Sequence, residues 1–173
     1  MPKRLVSPLV GRSVRLRLLE AADLPMTLRW RNDEAIRKWF LKSDLISSTL
    51  HQQWFDGYRE RDDDFVFVIE DTAMANHPVG QASVYRVDWD RKSAEFGRLM
   101  IGDPAARGRG LARDAVNVLT EFSFDGLGLT DLSLQVKEDN TVAAAVYESC
   151  GYYVVDRSDG VVTMALSRPN DSP

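Results

Sequence analysis

Arg107-Gly108-Arg109-Gly110-Leu111-Ala112 is the stretch that decides the fold. It lies between an alternating run, Glu95-Phe96-Gly97-Arg98-Leu99-Met100-Ile101, and an amphipathic helical pattern that opens near Leu111. A glycine-rich turn that opens a helix is an anion site: the first backbone N–H groups of the helix have no internal partner, and the helix dipole places positive charge there. Gly108 and Gly110 let the backbone approach a phosphate with no Cβ in the way. Arg107, Arg109 and Arg113 add positive charge in a chain whose formal net charge is −4. These features imply a phosphorylated cofactor. Two familiar phosphate loops do not fit. A dinucleotide loop, G-x-G-x-x-G, would need a third small residue where Arg113 stands, and no G-x-x-x-x-G-K-[ST] run exists.

What remains is Arg-x-x-Gly-x-Ala, from Arg107 to Ala112, and the order of elements around it. The helix from Leu111 to about Phe124 is stopped by Gly126 and Gly128. Leu132-Ser133-Leu134-Gln135-Val136 follows as a strand. Asn140 then opens Thr141-Val142-Ala143-Ala144-Ala145-Val146-Tyr147-Glu148-Ser149-Cys150-Gly151-Tyr152. The loop resembles the [Gln/Arg]-x-x-Gly-x-[Gly/Ala] pyrophosphate loop of the GNAT superfamily of acyl-CoA-dependent N-acetyltransferases. The Asn-to-Tyr block resembles that family's N-x-x-[AS]-x-x-x-Y-x-x-x-G-[FY] arrangement. The resemblance covers roughly Val14 to Ser167. It implies a single-domain GNAT-like α/β fold: a mixed, twisted sheet with splayed central strands, flanked by helices. It also implies acetyl-CoA as cosubstrate, without a metal.

Composition agrees with one ordinary globular unit. The chain has 173 residues, 44% hydrophobic and 28% charged, enough for one domain over residues 1–173 with a core at about 13–167. No apolar run is long enough to span a membrane, and Met1-Pro2-Lys3-Arg4-Leu5 lacks a signal-like apolar core. The single cysteine, Cys150, has no partner for an internal disulfide and reads as a reduced thiol. A cytoplasmic protein follows as the expectation, acting as monomer or homodimer, with no nucleic-acid or membrane partner.

The periodicity predicts β-α-α-α-β-β-β-α-β-α-β-β. Strands are expected at Ser13–Leu19, Phe65–Ile69 (apolar on both faces, hence central), Gln81–Val87 and from Glu95. Helices are expected from Leu24 behind Asp23, over Glu34–Phe40, and behind Ser47 or Ser48. Asp159-Gly160 marks a hairpin between Tyr152–Arg157 and Val161–Ser167, and the last five residues or so are expected to fray.

Moving an acetyl group from a thioester to an amine requires a neutral amine, a donor for the carbonyl oxygen and a proton for the thiolate. The resemblance assigns the carbonyl to backbone N–H groups near Met100 and Ile101, and the loop Arg107, Gly108, Arg109, Gly110, Leu111 and Ala112 to the cofactor, with Asn140 and Ala144 beside it. Asn140 either positions the cofactor arm or caps its helix. Tyr147 is the candidate general acid, since a phenol stays protonated at neutral pH. Glu95 is the candidate base, through water, with His51 the second. In the acceptor half, Trp30-Arg31-Asn32-Asp33 and His51-Gln52-Gln53-Trp54-Phe55 resemble the branch that acetylates UDP-4-amino-sugars in pseudaminic acid biosynthesis. That implies a small-molecule acceptor amine on a nucleotide-linked sugar, with Trp30, Arg31, Asn32 and His51 binding it; Trp54 and Phe55 also fit plain core positions. The same half resembles acetyltransferases of ribosomal-protein N-termini, and a small amine is a further alternative. A domain that binds acyl-CoA without transfer, as a sensor, is the reading from another class. A missing proton donor would favour it, and Tyr147 is present.

Overall fold

The computed structural model describes residues 3–169. The expectation for the chain's end falls almost wholly outside that range. One eight-stranded sheet runs in the order β1-β2-β3-β4-β5-β6-β8-β7. Its strands are β1 (Leu9–Val10), β2 (Val14–Leu18), β3 (Asp64–Asp71), β4 (His77–Asp88), β5 (Ser93–Ile101), β6 (Asp131–Lys137), β7 (Tyr153–Ser158) and β8 (Val161–Ser167). The helices are α1 (Leu24–Asn32), α2 (Glu34–Arg37), α3 (Ser48–Arg59), α4 (Leu111–Glu121) and α5 (Thr141–Ser149). Every neighbouring pair of strands is antiparallel except β5–β6.

β3 is central, as its two apolar faces predict. All its residues are buried between β2 and β4. Because side chains alternate along a strand, Phe65, Phe67 and Ile69 enter the main core with Leu111, Ala115, Val116 and Leu119 of α4. Val66 and Val68 face the other way, into a smaller cluster with Leu24 of α1 and Phe55 and Tyr58 of α3. Helices therefore cover both faces of the sheet. The Asp159-Gly160 hairpin forms with both residues at positive φ, 52° and 74°, the backbone of a type I′ turn. β1 is an edge strand the periodicity did not predict, β4 begins at His77 rather than Gln81, and two helix ends differ from expectation. α2 stops at Arg37, because residues 38–47 form a loop tied down by side chains of α1 and α2. α4 gives way at Phe122 to one wide helical turn, Phe122–Gly126.

The feature that positions the site lies between β5 and β6. They pair only over Ser93–Glu95 and Asp131–Ser133 and then part. The edge of β5 from Phe96 to Ile101 has no strand partner on that side, which leaves backbone donors and acceptors open along a wedge. On its other side β5 is bulged: its register with β4 jumps between Gly97↔Ser83 and Met100↔Gln81. Arg98 sits in the bulge at φ 52°, a conformation a long side chain holds only when its surroundings fix it.

Candidate active site

A cavity of about 1070 Å³ fills the wedge. At one end it meets the start of α4. Gly108 and Gly110 have φ of 71° and 76°, and a Cβ added at either would meet no atom within 4 Å. The glycines are thus required by backbone conformation, and the space in front of them is open. Gly110 is the N-cap of α4, and among the described residues no side chain caps the helix, so its first amides have no protein acceptor there. The one acid of the first turn, Asp114, is turned away onto the amides of Ser13 and Val14, at 2.7 and 3.1 Å. Arg107 and Arg113 line the cavity, and the Arg107 Nε donates to the Ile101 carbonyl at 3.2 Å. Open amides, positive charge and an unfilled approach fit a pyrophosphate.

The wall opposite β5 is α5. The Asn140 side chain accepts from the Ala143 N–H at 3.3 Å, so it caps the helix, and it also lines the cavity. Tyr147, 6% exposed, is walled in by Phe96 and Tyr152 with ring centroids 5.9 and 6.0 Å away. Its ring is packed, and its hydroxyl has no hydrogen-bond partner among the described residues. Burial pushes its ionisation far above the ordinary phenol range, with Tyr152 and Tyr85 adding to the shift, so at neutral pH it is protonated.

The acceptor end is built by α1, α3, the 38–47 loop and β5. His51 lies flat on Trp54, 5.3 Å between centroids, and Trp54 on Tyr58. Arg31 stacks on Phe40, 4.3 Å from its centroid, and donates through Nη2 to the Lys42 carbonyl. Its Nη1 is buried without a partner. Burial and then the neighbouring Arg37 act against its charge, only partly offset by Asp44. Arg98 reaches back to buried Asp64 in a two-pronged ion pair, 2.7 and 3.1 Å, with its guanidinium 4.3 Å from the Tyr85 ring. Gly97 makes room for that ring, since a Cβ there would lie 3.0 Å from Tyr85 Cε1.

The structure brings Arg31, His51, Met100, Ile101, Arg107, Gly108, Gly110, Leu111, Ala112, Asn140 and Tyr147 onto one cavity. It places the other expected residues elsewhere. Arg109 turns to buried Asp71, at 2.6 Å, and anchors the loop to β3. Ala144 lies one position beyond Ala143, which lines the cavity in its stead. Trp30 packs over Gly102, where a Cβ would come within 2.1 Å of its ring. Asn32 is spent on both backbone groups of Ile46, at 2.8 and 2.9 Å, and holds the 38–47 loop. Glu95 is held by Arg86 at 2.8 Å and stands outside the cavity lining. The strand bulge falls at Arg98–Leu99, just before the amides expected at Met100 and Ile101. Sequence reasoning placed Arg98 with the phosphate-binding arginines, whereas it pairs with Asp64 at the acceptor end, and it missed Tyr85, Trp39 and Phe40 as lining residues. Gly97, a glycine inside a strand, was the available signal for Tyr85. Cys150 sits partly buried, its Sγ 3.7 Å from the Arg113 carbonyl.

The sequence profile of the Acetyltransferase (GNAT) domain matches residues 13–153. The chain belongs to this family. GNAT enzymes use acetyl-CoA, and this one is an acetyl-CoA-dependent N-acetyltransferase acting on an amine. Among relatives, a spermidine N(1)-acetyltransferase of Vibrio cholerae is 27% identical over 79% of this chain and 77% of its own. An alpha/beta-tubulin-N-acetyltransferase 9 of Drosophila melanogaster is 24% identical over 93% and 86%. Among solved structures, a Vibrio cholerae spermidine N-acetyltransferase in complex with CoA and spermine superposes with a TM-score of 0.81 at 24% identity, covering 90% of this chain and 95% of that one. This likeness shows the GNAT fold, including its mixed sheet. No helix among the described residues is long and apolar enough to cross a membrane, and no group of side chains there could hold a metal ion.

Proposed function

We propose that this acetyltransferase acts on the primary amine of a small molecule that also carries a negative group. The observation that carries this reading is the charge at the acceptor end, where Arg31, stacked on Phe40, lines the cavity. Lys42 and Arg98 line the same end. The one carboxylate of the lining, Asp139, sits beside Asn140 on the cofactor side. The polyamines named for the relatives are multiple cations, and binding them calls for carboxylates. A phosphate or carboxylate would instead be drawn to the charge of Arg31 and Lys42. A nucleotide-linked amino sugar is one member of this class. The comparisons lend that particular acceptor no support, and they favour a small amine in general.

Acetyl-CoA supplies the activated acetyl group. The protein binds its pyrophosphate at the α4 N-terminus, orients the thioester along the open edge of β5, and offers the amides around the bulge to the carbonyl oxygen. Tyr147 donates the proton that the leaving sulfur takes up.

An acceptor screen tests the proposal by thiol release from acetyl-CoA with UDP-amino-sugars, amino acids, a peptide N-terminus and spermidine. Amines bearing a negative group should give the higher kcat/KM; preference for spermidine would overturn the reading. Arg31→Ala should raise KM for the anionic amine and weaken its dependence on salt, with kcat less affected. For the cofactor, Gly110→Asp places a Cβ at φ 76°, costing about 1 kcal/mol in backbone strain, and sets a carboxylate against the pyrophosphate. Calorimetry should show acetyl-CoA affinity collapsing while the fold survives. Unchanged affinity would move the pyrophosphate site elsewhere.

A further inference from the structure

Glu95 is occupied by Arg86, which leaves the amine without an evident proton acceptor. The hydrogen bonds around His51 supply one. His51 lines the acceptor end of the cavity from α3. Its Nε2 lies 3.4 Å from the hydroxyl of Thr27 on α1. Thr27 is buried at 1% exposure, and its hydroxyl has a single proton. That proton is directed at the α1 backbone, where Oγ1 donates to the Asp23 carbonyl at 3.1 Å. Oγ1 can then only accept from the imidazole, so Nε2 carries the ring hydrogen. Nδ1 is left with its lone pair, no protein partner among the described residues, and no place among the buried unsatisfied atoms. Trp54 beneath the ring fixes its plane.

Building on the acceptor reading above, we infer that His51 is the general base of this enzyme, held in its Nε2–H tautomer by Thr27. The ammonium N–H bond breaks and Nδ1–H forms. The freed lone pair attacks the thioester carbon, whose π pair moves to oxygen. As the carbonyl re-forms the C–S bond breaks, sulfur takes the Tyr147 proton, and the second nitrogen proton restores the phenol through solvent. The proton leaves His51 for solvent once product departs. The charged and titratable groups sharing this end are Arg31 from α1, Lys42 from the 38–47 loop, Arg98 from β5 and Tyr85 from β4. Asp23 below Thr27 is neutralised by Arg17. Among the described residues no carboxylate faces the imidazole to hold a proton on it, and burial pushes its ionisation below the ordinary value of about 6.5.

The state of the ring can be read without any acceptor. The chain has two histidines, so ¹⁵N imidazole spectra of the whole protein resolve into two sets, with His51→Asn assigning them. The expected result is an Nε2–H ring at pH 7 with a titration midpoint below about 6.5, and a mixture of tautomers in Thr27→Val. An Nδ1–H ring, or a midpoint above that value, overturns the inference. Turnover is then followed with a UDP-4-amino-sugar and with spermidine. Wild type should lose kcat/KM as pH falls through the His51 midpoint, at the same pH for both amines. His51→Asn should keep acetyl-CoA binding by calorimetry, lose the acidic limb, and fall on the order of 10²–10⁴-fold. A limb that moves with the amine, or survives in His51→Asn, overturns the role. Preference for spermidine would sink the anionic-acceptor reading and leave the spectra to decide on His51.

Discussion

Tyr147→Phe should leave acetyl-CoA affinity and thermal stability close to wild type while slowing turnover by about 10²–10⁴-fold. The separation follows from how the residue is built in. The ring contributes the packing, edge-on to Phe96 and Tyr152, and phenylalanine keeps it. Among the described residues the hydroxyl makes no protein hydrogen bond, so its removal strands no buried partner there, the usual source of a large stability loss. Its one remaining use is toward whatever occupies the cavity. Because burial raises its ionisation well above neutrality, the phenol should stay a donor throughout a neutral-to-alkaline pH series, and any fall in rate near neutral pH must come from another group. Calorimetric titration with acetyl-CoA, a melting curve and kcat/KM on one preparation check all three statements. A variant with the wild-type rate would make Tyr147 a core residue and leave protonation of the thiolate to water. A variant that melts much earlier would show a packing role for the hydroxyl that the structure does not contain.

The cofactor half of the site was legible because its signals are local. Gly110 and the helix it starts are adjacent in sequence, and Asn140 and Tyr147 lie within two turns of one helix, so spacing alone brings them to one wall. The acceptor half was less legible because it is held by contacts between distant segments. Asn32 has the composition of a binding residue, and only the folded chain shows that both its polar atoms are taken by Ile46. Arg109 belongs to the glycine loop, yet its partner Asp71 lies 38 residues away on β3. Glu95 alternates correctly for a strand, but a bulge in the β4–β5 pairing puts Arg86 beside it. In each case a charged or amide side chain that sequence patterning left free is satisfied by a neighbour from another element. Burial requires such satisfaction, and periodicity cannot identify the partner. Arg31 and Arg37 are the exceptions among the described residues: the fold buries one nitrogen of each and provides nothing for it.

Asp64→Ala is the substitution expected to cost most in stability, and it reports on the same wedge. Asp64 is 1% exposed and holds Arg98 through both carboxylate oxygens. Lys3, whose ammonium lies 3.8 Å from the Tyr58 ring centre, also draws on this charge. Removing Asp64 leaves the Arg98 charge uncompensated, and because Arg98 is 28% exposed beside the cavity the loss should be smaller than the ~3–5 kcal/mol of a fully buried pair. Arg98 would also lose what fixes it at φ 52° in the bulge, and the open edge of β5 beyond it should relax. Denaturant unfolding should therefore show a drop in midpoint, and kcat/KM should fall in the fraction that remains folded. The double variant Asp64→Ala/Arg98→Ala separates the two effects. With both charges gone, the desolvation penalty goes with them, and stability should recover most of the loss. Activity should not recover, because the bulge has lost its latch. Recovery of both would mean that the ion pair serves folding alone and that the backbone of β5 keeps its bulge unaided; recovery of neither would mean that Asp64 is held in place for partners other than Arg98.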